Sequence, residues 1–356
     1  MDKLFAEFNL KGLTLNNRIV MPPVFTHAFS DTEGRPKPEK FAHYEKIARG
    51  GAGLIIVEAA CVEPRARLAP TQLGIWDDIF IPDLKKIADL IHDNGAKAFI
   101  QIHHAGFKTF GPEKISASDY EMQSMNELVR ARAMRADEIK ATQDNFVKAA
   151  LRAQTAGFDG VEIHAAHGYL ITQFLSTKAN RRTDDYGGSL ENRARFGVET
   201  IGMVKKALDD HIVVGVRMGS NEPSLEDSLY FAQQFVKAGA DILHVSTGFD
   251  NQRPAEMKAP EDFGLSWIVY GASCIKARVD VPVIAVSGVR TPDQVRKIVD
   301  QDLADLVALG RAQLVDPDWV RKARNHEKIV MCHACKACQW FADYRKCLGH
   351  IDPIEA

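Results

Sequence analysis

The sequence lacks the features of disordered, membrane-spanning and strongly charged proteins. Its 45 Lys and Arg nearly balance 47 Asp and Glu, so the formal charge of −2 gives no field that would attract nucleic acid or an anionic membrane. No apolar run approaches the roughly 18 residues of a spanning helix, and the first residues do not form a signal peptide. We therefore expect a globular, cytoplasmic protein that acts on a small molecule, without nucleic acid or membrane partners, and leave open whether it is a homo-oligomer.

Cysteine is scarce over most of the chain and concentrated near its end. Two cysteines stand alone, whereas four of the six lie in the last 25 residues. Cys332, Cys335 and Cys338 are each separated by two residues, and Cys347 follows after eight more. This spacing indicates metal ligands rather than disulfides. A [4Fe–4S] cluster, a structural zinc ion and a reduced site without metal remain alternatives.

Short apolar runs alternate eight times with longer amphipathic stretches, which predicts an α/β protein with parallel strands joined by helices. No G-x-G-x-x-G motif follows any run, so a closed (β/α)8 TIM barrel is favoured over an open dinucleotide-binding sheet. We expect the barrel at residues 1–325 and a short cysteine-rich C-terminal tail at 326–356. The predicted strands are residues 18–22, 53–59, 96–103, 160–165, 212–218, 241–246, 281–286 and 305–309. The predicted helices are 38–49, 82–92, 142–156, 190–208, 225–238, 265–277, 292–300 and 317–325.

Several connections between these elements contain residues or lengths that predict a particular local structure. Gly50, Gly95, Gly157 and Gly239 follow predicted helices, where a left-handed cap is expected. The third connection, residues 105–140, is long for a barrel loop and is predicted to form a lid or a wall of the substrate site. The polar segment 177–189 after the fourth strand is predicted to form a second wall.

A barrel enzyme carries its chemistry at the C-terminal ends of its strands. The side chains that end the apolar runs are therefore candidates for catalysis or ligand binding. Arg217 is one of them, and at the barrel rim its cation requires an anion or a ligand, with a structural ion pair as the alternative. The polar residues at these ends are Gln101, His103, His104, His164, Arg217 and Ser246.

Two neighbouring strand ends have the composition of a phosphate site. Ser287-Gly288 follows the seventh strand, and Gly310-Arg311 follows the eighth. Backbone N–H groups at small residues approach a phosphate closely, and a guanidinium adds charge-assisted hydrogen bonds. A tight turn and a surface cation are the alternative interpretation. The pattern favours a phosphorylated ligand.

The segment from His164 to Tyr169 carries the sharpest catalytic signal. His164 and His167 are separated by two alanines where the fourth strand leaves the barrel, so both imidazoles can donate N–H groups to one developing oxyanion. Tyr169 has a phenol that keeps its proton at neutral pH and can deliver it to a carbanion. Zinc binding is the alternative, but no third ligand lies nearby in the sequence.

At this point the sequence resembles the old yellow enzyme family of FMN-dependent oxidoreductases. The resemblance extends over about residues 1–325, and its most specific part is HAAHGYLITQFLSTKANRRTDDYGGSLENRARF, residues 164–196. Residues 17–21, 73–76, 157–160 and 309–311 add to it. The resemblance implies FMN and NAD(P)H. It implies FMN contacts from Pro23, Ala59 and Ala60 near the ring, Gln101 at the pyrimidine ring, Arg217 at the N1/C2=O edge, and Ser287, Gly288, Gly310 and Arg311 at the phosphate.

The same resemblance implies a reaction. NAD(P)H reduces FMN, and a C=C bond conjugated to a carbonyl or nitro group is then reduced. His164 and His167 hold the substrate oxygen, and Tyr169 protonates Cα. The cysteine tail is similar to that of the dienoyl-CoA reductase and trimethylamine dehydrogenase branch. An iron–sulfur-assisted reductase or amine demethylase, or a flavin- or metal-binding subunit without turnover, are the alternatives.

One segment departs from the family pattern. Phe25 stands where the family usually has the Thr or Cys that tunes the flavin potential, although Thr26 serves if the alignment shifts by one residue. His27 replaces an aromatic or hydroxyl contact to the substrate.

Overall fold

The computed structural model describes residues 2–124, 127–351 and 354–355. Residues 125–126 of the predicted third connection, and residues 1, 352–353 and 356 of the predicted barrel and tail, lie outside the described residues. The described strands are β1 (Phe8–Leu10), β2 (Leu13–Leu15), β3 (Ile19–Met21), β4 (Leu54–Cys61), β5 (Lys97–His103), β6 (Ile115–Ser116), β7 (Tyr120–Ser124), β8 (Glu127–Ala133), β9 (Gly160–Ala165), β10 (Val213–Gly219), β11 (Ile242–Ser246), β12 (Val283–Val286), β13 (Leu306–Ala308), β14 (Val330–Met331) and β15 (Ile354–Glu355).

Helices alternate with the barrel strands along the chain. None of those within the described ranges is long and apolar enough to cross a membrane. They are α1 (Pro38–Arg49), α2 (Ile81–Asp93), α3 (Ala136–Thr155), α4 (Leu170–Leu175), α5 (Leu190–Ala207), α6 (Leu225–Lys237), α7 (Trp267–Lys276), α8 (Pro292–Asp300), α9 (Gly310–Val315), α10 (Trp319–Asn325), α11 (Gln339–Ala342) and α12 (Leu348–Ile351).

Parallel strands close into a barrel. Within the described chain their order is β3-β4-β5-β9-β10-β11-β12-β13, and β13 pairs with β3 to complete the ring. The strands are short and apolar because the interior covers one face and the helices cover the other. The predicted (β/α)8 TIM barrel is confirmed, and β9 has the predicted bounds.

The lower end of the barrel is closed by a hairpin that the sequence reading did not predict. β1 and β2 pair in antiparallel, and Leu10 and Leu15 pack into the apolar cluster inside the barrel. Leu54 and Phe99 belong to the same cluster. The barrel is therefore sealed at its N-terminal end and opens at the other.

The predicted and observed elements differ at their ends, and every barrel strand except β9 departs from its predicted bounds by one or two residues. α1 and α8 have the predicted bounds, whereas α3 begins at Ala136, six residues before the predicted start. The earlier start has a local cause, because the Glu138 side chain accepts the backbone N–H of Arg135 at 3.0 Å in a capping box. The short helices α4 and α9 were not predicted.

Three of the four predicted glycine caps are confirmed. Gly95, Gly157 and Gly239 have φ values of 79°, 86° and 111°. The prediction for Gly50 is wrong: its φ is −67°, and Gly51 takes the left-handed conformation at 93°. Gly50 serves close packing instead, since a Cβ there would lie 1.7 Å from the carbonyl oxygen of Pro317.

The long third connection is partly ordered into a small sheet of β6, β7 and β8. Its aromatic side chains face the loop after β11. Phe107 and Tyr120 have ring centroids 4.7 Å apart, and each lies 5.9 Å from Phe249. The connection therefore contacts the loop that borders the barrel mouth.

The tail packs against the barrel. Trp340 and Tyr344 lie edge-on to Phe29, with ring centroids 6.2 and 5.5 Å away. The carbonyl of Cys332 accepts a hydrogen bond from Arg290 at 3.1 Å. The buried side chains of Cys332, Trp340 and Cys347 belong to the cluster between the strands and the helices.

Candidate active site

Polar side chains from neighbouring strands meet inside the open end of the barrel. In the register of β9, β10 and β11, His164 lies beside Arg217, and Arg217 lies beside His244. Gln101 on β5 lies beside Glu162 on β9. Because side chains alternate along a strand, Glu162 shares a face with His164, and His244 shares one with Ser246. The structure thus brings the predicted Gln101, His164, Arg217 and Ser246 together.

The two predicted histidines form a hydrogen-bonded chain. Ala166 N–H donates to His164 Nδ1 at 3.3 Å, so the proton of His164 lies on Nε2. His164 Nε2 then donates to His167 Nδ1 at 3.1 Å, and His167 Nε2 donates to the Ser246 hydroxyl at 2.8 Å. Both rings therefore present their Nε2–H in a fixed tautomer, already engaged within the protein.

Burial sets the charge of these imidazoles. The pKa of His164 is held well below its ordinary value, first by burial and then by His167, His103 and Arg217 nearby. The pKa of His167 is also well below its ordinary value, through burial and then the charge of Arg217. Both rings are therefore neutral hydrogen-bond donors near neutral pH. His167 lies in a left-handed conformation with φ 60°, a strained turn of the kind found at functional sites.

Tyr169 packs against all the imidazoles of this group. Its ring centroid lies 4.4 Å from that of His103, 4.9 Å from that of His164 and 6.4 Å from that of His167. Burial raises the pKa of the phenol, and the Arg217 charge opposes this effect. The hydroxyl therefore keeps its proton at neutral pH. The ammonium of Lys108 lies 5.3 Å from the Tyr169 ring centroid and donates to the His167 carbonyl at 2.7 Å.

Arg217 is a half-buried cation, and no ion pair is formed with it by the residues that the structure describes. Its Nε has no hydrogen-bond partner within the described chain. Burial lowers the pKa of its guanidinium, whereas the charge of Glu162 raises it. A buried hydrogen-bond donor without an acceptor costs roughly 1–3 kcal/mol of stability. A ligand that accepts a hydrogen bond from Arg217 Nε would remove this cost and would bind more tightly for that reason.

Sequence reasoning missed two residues next to Arg217: His244 lies beside it on β11, and Glu162 lies two residues before His164 on β9. Glu162 accepts a hydrogen bond from Gln101 Nε2 at 2.7 Å and another from His244 Nδ1 at 2.8 Å. All three side chains are buried. The sequence did indicate these two positions, since Glu162 and His244 each lie two residues before a predicted site residue, and alternate residues of a strand share a face.

The predicted phosphate residues lie at the ends of adjacent strands. β12 and β13 pair, and Ser287 and Gly288 follow β12 with φ values of 98° and 76°. Gly310 begins α9, and a Cβ there would lie 3.3 Å from Pro22 Cγ. Arg311 is exposed, and the described part of the protein offers it no ion pair.

The three residues expected near the flavin ring differ in how deeply they are buried. Pro23 is half-buried after β3, Ala59 is half-buried, and Ala60 is buried in the core beside an irregularity of β4. The carbonyl of Ala59 accepts a hydrogen bond from Gln72 at 2.8 Å. Ala59 is therefore more accessible than Ala60.

Phe25 and Thr26 have different surroundings. Phe25 is half-buried and packs against His27, with ring centroids 4.2 Å apart. Thr26 is buried, and its hydroxyl is bonded to Lys40, at 3.0 Å, and to Glu58. Lys40 and Glu58 are a fully buried ion pair. The hydroxyl of Thr26 is thus already hydrogen-bonded to this buried ion pair.

A cavity of about 450 Å³ joins these groups at the barrel mouth. It is lined on one side by the imidazole of His167 and the guanidinium of Arg217, and on the other by Ser287. Phe249 and Lys108 form part of its rim. His167, Arg217 and Ser287, predicted for different parts of the site, therefore border one space.

The cysteine tail lies apart from this cavity. All six cysteines are free thiols, and Cys332 and Cys347 are buried. Burial raises the pKa of Cys347, and the neighbouring Cys338 and Cys332 raise it further, so these three thiols share one neighbourhood. Over the described ranges, no three His, Cys, Asp or Glu side chains are arranged to hold a single metal ion.

Comparison with known proteins identifies the class. The NADH:flavin oxidoreductase / NADH oxidase family matches residues 3–329, so the chain belongs to this family. The predicted FMN-dependent, NAD(P)H-using oxidoreductase of the old yellow enzyme type is confirmed at the level of the family. The matched region ends just before the clustered cysteines.

Individual relatives agree with this assignment. The chain is 38% identical over 326 residues to an NADPH dehydrogenase of Halalkalibacterium halodurans, covering 90% of this chain and 94% of that protein. It is 37% identical over 345 residues to an NADH oxidase of Thermoanaerobacter brockii, covering 93% of this chain but only 52% of that protein. The chain thus spans about half the length of that oxidase.

A solved structure shows the same architecture. Morphinone reductase in complex with tetrahydroNAD superposes with a TM-score of 0.78 at 27% identity, covering 96% of each chain. The barrel and its mouth are therefore shared with a protein whose structure contains a nicotinamide coenzyme analogue.

Proposed function

We propose that this protein reduces C=C bonds conjugated to a carbonyl or nitro group, with NAD(P)H as the reductant. One observation carries the proposal: two neutral imidazoles and a protonated phenol, from His164, His167 and Tyr169, surround the barrel mouth beside the half-buried guanidinium of Arg217. Hydrogen-bond donors for an oxyanion and a proton donor for a carbanion are the groups that this reaction needs.

The residues at the mouth fit FMN. Arg217 Nε is buried without a partner in the described chain, and the left-handed turn at Ser287-Gly288 lies beside the same cavity. When bound, FMN would supply the chemistry of hydride transfer from NAD(P)H to the substrate. Arg217 would hold the N1/C2=O edge, Gln101 the pyrimidine ring, and Pro23, Ala59 and Ala60 would border the ring. Ser287, Gly288, Gly310 and Arg311 would hold the phosphate.

His164 and His167 would hold the oxygen of the substrate. That oxygen would accept the Nε2–H of His167 in place of the Ser246 hydroxyl, and the Nε2–H of His164 in place of His167 Nδ1. Because both rings are neutral, they would stabilise developing negative charge without an existing salt bridge to break. Tyr169 would donate its hydroxyl proton to Cα.

Two variants test this assignment. His164→Ala should slow the oxidation of reduced flavin by an enone roughly 100-fold, as removal of one oxyanion donor does. Tyr169→Phe should retain flavin oxidation but slow formation of the saturated product roughly 100-fold. Rapid-mixing absorbance and product analysis measure the two steps separately.

Tyr186→Phe is a matched control, because that phenol donates to Glu199 at 2.9 Å, away from the mouth. It should behave like the wild type. If His164→Ala and Tyr169→Phe both oxidise reduced flavin and form product at wild-type rates, the proposed roles are wrong.

We further propose that Cys332, Cys335, Cys338 and Cys347 are the ligands of a [4Fe–4S] cluster. The shared neighbourhood of three of these thiols supports this assignment. A cluster binds each thiolate through a different iron, so its ligands need not converge on one ion as they do around zinc. Anaerobic iron, sulfide and zinc analysis decides between a cluster, zinc and reduced thiols. A cluster would favour the iron–sulfur-assisted reductase or amine demethylase.

The cellular setting is also proposed. Six free thiols suit a reducing compartment, which supports a cytoplasmic location. Light scattering of the purified protein decides whether it is a homo-oligomer.

A further inference from the structure

Glu162 is a buried carboxylate in the barrel that the proposed reaction does not use. It is 1% exposed, and each of its oxygens accepts one hydrogen bond, from Gln101 Nε2 at 2.7 Å and from His244 Nδ1 at 2.8 Å. Neither donor is a cation, because burial lowers the pKa of His244 despite the opposing charge of Glu162. The carboxylate therefore brings into the space below the mouth a negative charge that neither of its hydrogen-bond donors neutralises.

The two donors come from strands on either side of Glu162. Gln101 lies on the adjacent β5, whereas His244 lies on β11, beyond the intervening β10. The β10 residue in register with Glu162 is Gly215, which has no side chain. This keeps the interior open between β9 and β11, so that the carboxylate reaches the imidazole.

The hydrogen bonds fix the orientation of both partners. Since Gln101 directs its amide nitrogen at Glu162, its carbonyl oxygen points elsewhere. Since His244 donates from Nδ1, its Nε2 carries no proton, and this atom is buried without a partner in the described part of the protein. Glu162 thus determines the hydrogen-bonding character of two neighbouring side chains.

Arg217 is a cation on the strand between those of Glu162 and His244. The charge of Glu162 raises the pKa of Arg217, although the two side chains share no hydrogen bond among the contacts described. Arg217 is thus electrostatically balanced while its Nε remains free of protein partners. The histidines around it, His164, His167 and His244, have lowered pKa values and are neutral.

We propose that Glu162 is a positioning residue of the flavin site, which orients Gln101 and His244 and lowers the reduction potential of the flavin by offsetting the charge of Arg217. This inference rests on the proposed placement of FMN against Arg217. Reduction adds negative charge near N1, so a cation there favours the reduced form and a nearby anion opposes it.

Glu162→Gln tests the electrostatic part, because it removes the charge and retains the shape. At a fixed solution potential, measured against reference dyes without any enone, the ratio of reduced to oxidised flavin should rise at least tenfold. For a two-electron couple this corresponds to about 30 mV. Glu162→Asp keeps the charge and should leave the ratio within threefold of wild type.

Glu199→Gln is the matched control, since Glu199 also accepts from an amide, Gln143 at 2.9 Å, and from a second donor, Tyr186 at 2.9 Å. It should leave the ratio unchanged. A wild-type ratio in Glu162→Gln overturns the inference, as does an equal shift in Glu162→Asp, which would indicate a merely structural role.

A readout independent of the flavin keeps the inference testable if Glu162→Gln retains no FMN. The ¹⁵N NMR shifts of His244 in the apoprotein should show a proton on Nδ1 in the wild type and should no longer show that single tautomer in Glu162→Leu, which offers Nδ1 no acceptor. An unchanged tautomer overturns the inference, and so does a wild-type His244 without a proton on Nδ1.

Arg217→Gln separates this inference from the proposed function. It should lower the ratio of reduced to oxidised flavin, opposite in sign to Glu162→Gln. An unchanged ratio in Arg217→Gln would show that FMN does not lie against Arg217, so the proposed placement itself fails. A lowered ratio there, with no change in Glu162→Gln, contradicts only the inference about Glu162.

Discussion

The two halves of the barrel interior differ, although the same strands build both. The lower half is apolar: Leu54, Phe99, Val213 and Ile242 pack with one another and with the hairpin below them. The upper half carries polar groups on β5, β9, β10 and β11, several of them without protein partners in the described structure. The comparison teaches that one end of each strand contributes packing and the other contributes chemistry.

Shortening a lower-half side chain should produce the largest effect on stability. Leu54→Ala removes a fully buried side chain from the interior cluster and should lower the free energy of unfolding by about 2–5 kcal/mol. The affinity of the protein for FMN should change less than twofold. Denaturant unfolding and flavin fluorescence titration measure the two quantities. A large loss of flavin affinity at unchanged stability would contradict the assignment of packing to the lower half and of ligand binding to the upper half.

Replacing Arg217, the cation of the upper half, should weaken the binding of FMN more than it affects stability. Arg217→Gln removes charge-assisted hydrogen bonds to the flavin, worth about 1.5–3 kcal/mol, so the Kd for FMN should rise roughly 10- to 150-fold. The stability of the apoprotein should change little, because the desolvation cost of Arg217 and its attraction to the Glu162 carboxylate oppose each other. Titration of apoprotein with FMN and thermal unfolding without FMN provide the test. An apoprotein that is clearly destabilised would indicate that Arg217 contributes mainly to folding.

A third, smaller effect concerns the pH dependence of stability through Glu222, whose carboxyl group accepts the N–H of Phe249 at the rim of the cavity. Burial raises the pKa of Glu222 to about 8, with the nearby Asp250 adding to the rise and Ser176, the Phe249 N–H and Arg193 opposing it. The folded chain therefore keeps a proton that the unfolded chain has released, so stability falls as the pH rises toward 8.

Between pH 6 and pH 7 this should destabilise the wild type by about 1 kcal/mol relative to Glu222→Gln, which cannot ionise. Thermal unfolding of both proteins at the two pH values measures the difference. Leu54→Ala should show the wild-type pH dependence, since the lower half has no group that titrates in this range within its cluster. Parallel stability curves for the wild type and Glu222→Gln would refute the assignment.

Sequence reasoning located the strands and most of the candidate residues for identifiable reasons. β9 was predicted with its observed bounds because a strand buried on both faces is a continuous apolar run between turn residues. Strand ends then pointed to His164, Arg217 and Ser246. Gly50 was misassigned because two glycines follow α1, and only the contact with Pro317 distinguishes them.

The parts of the site that were missed depend on closure of the barrel. Glu162 is an isolated charge within an apolar run, and its partners lie 61 and 82 residues away along the chain. Sequence spacing cannot show that a carboxylate on β9 reaches a histidine on β11. The engagement of His167 with Ser246, 79 residues apart, is of the same kind.

The sequence by itself determined the eight-fold alternation, the family, and the residue types at each strand end, because hydrophobic period and local motifs are properties of short segments. Only the tertiary structure decided which of those residues meet, which tautomer each histidine adopts and which charges remain unpaired. These features depend on distances across the barrel, and those distances exist only once β13 has paired with β3.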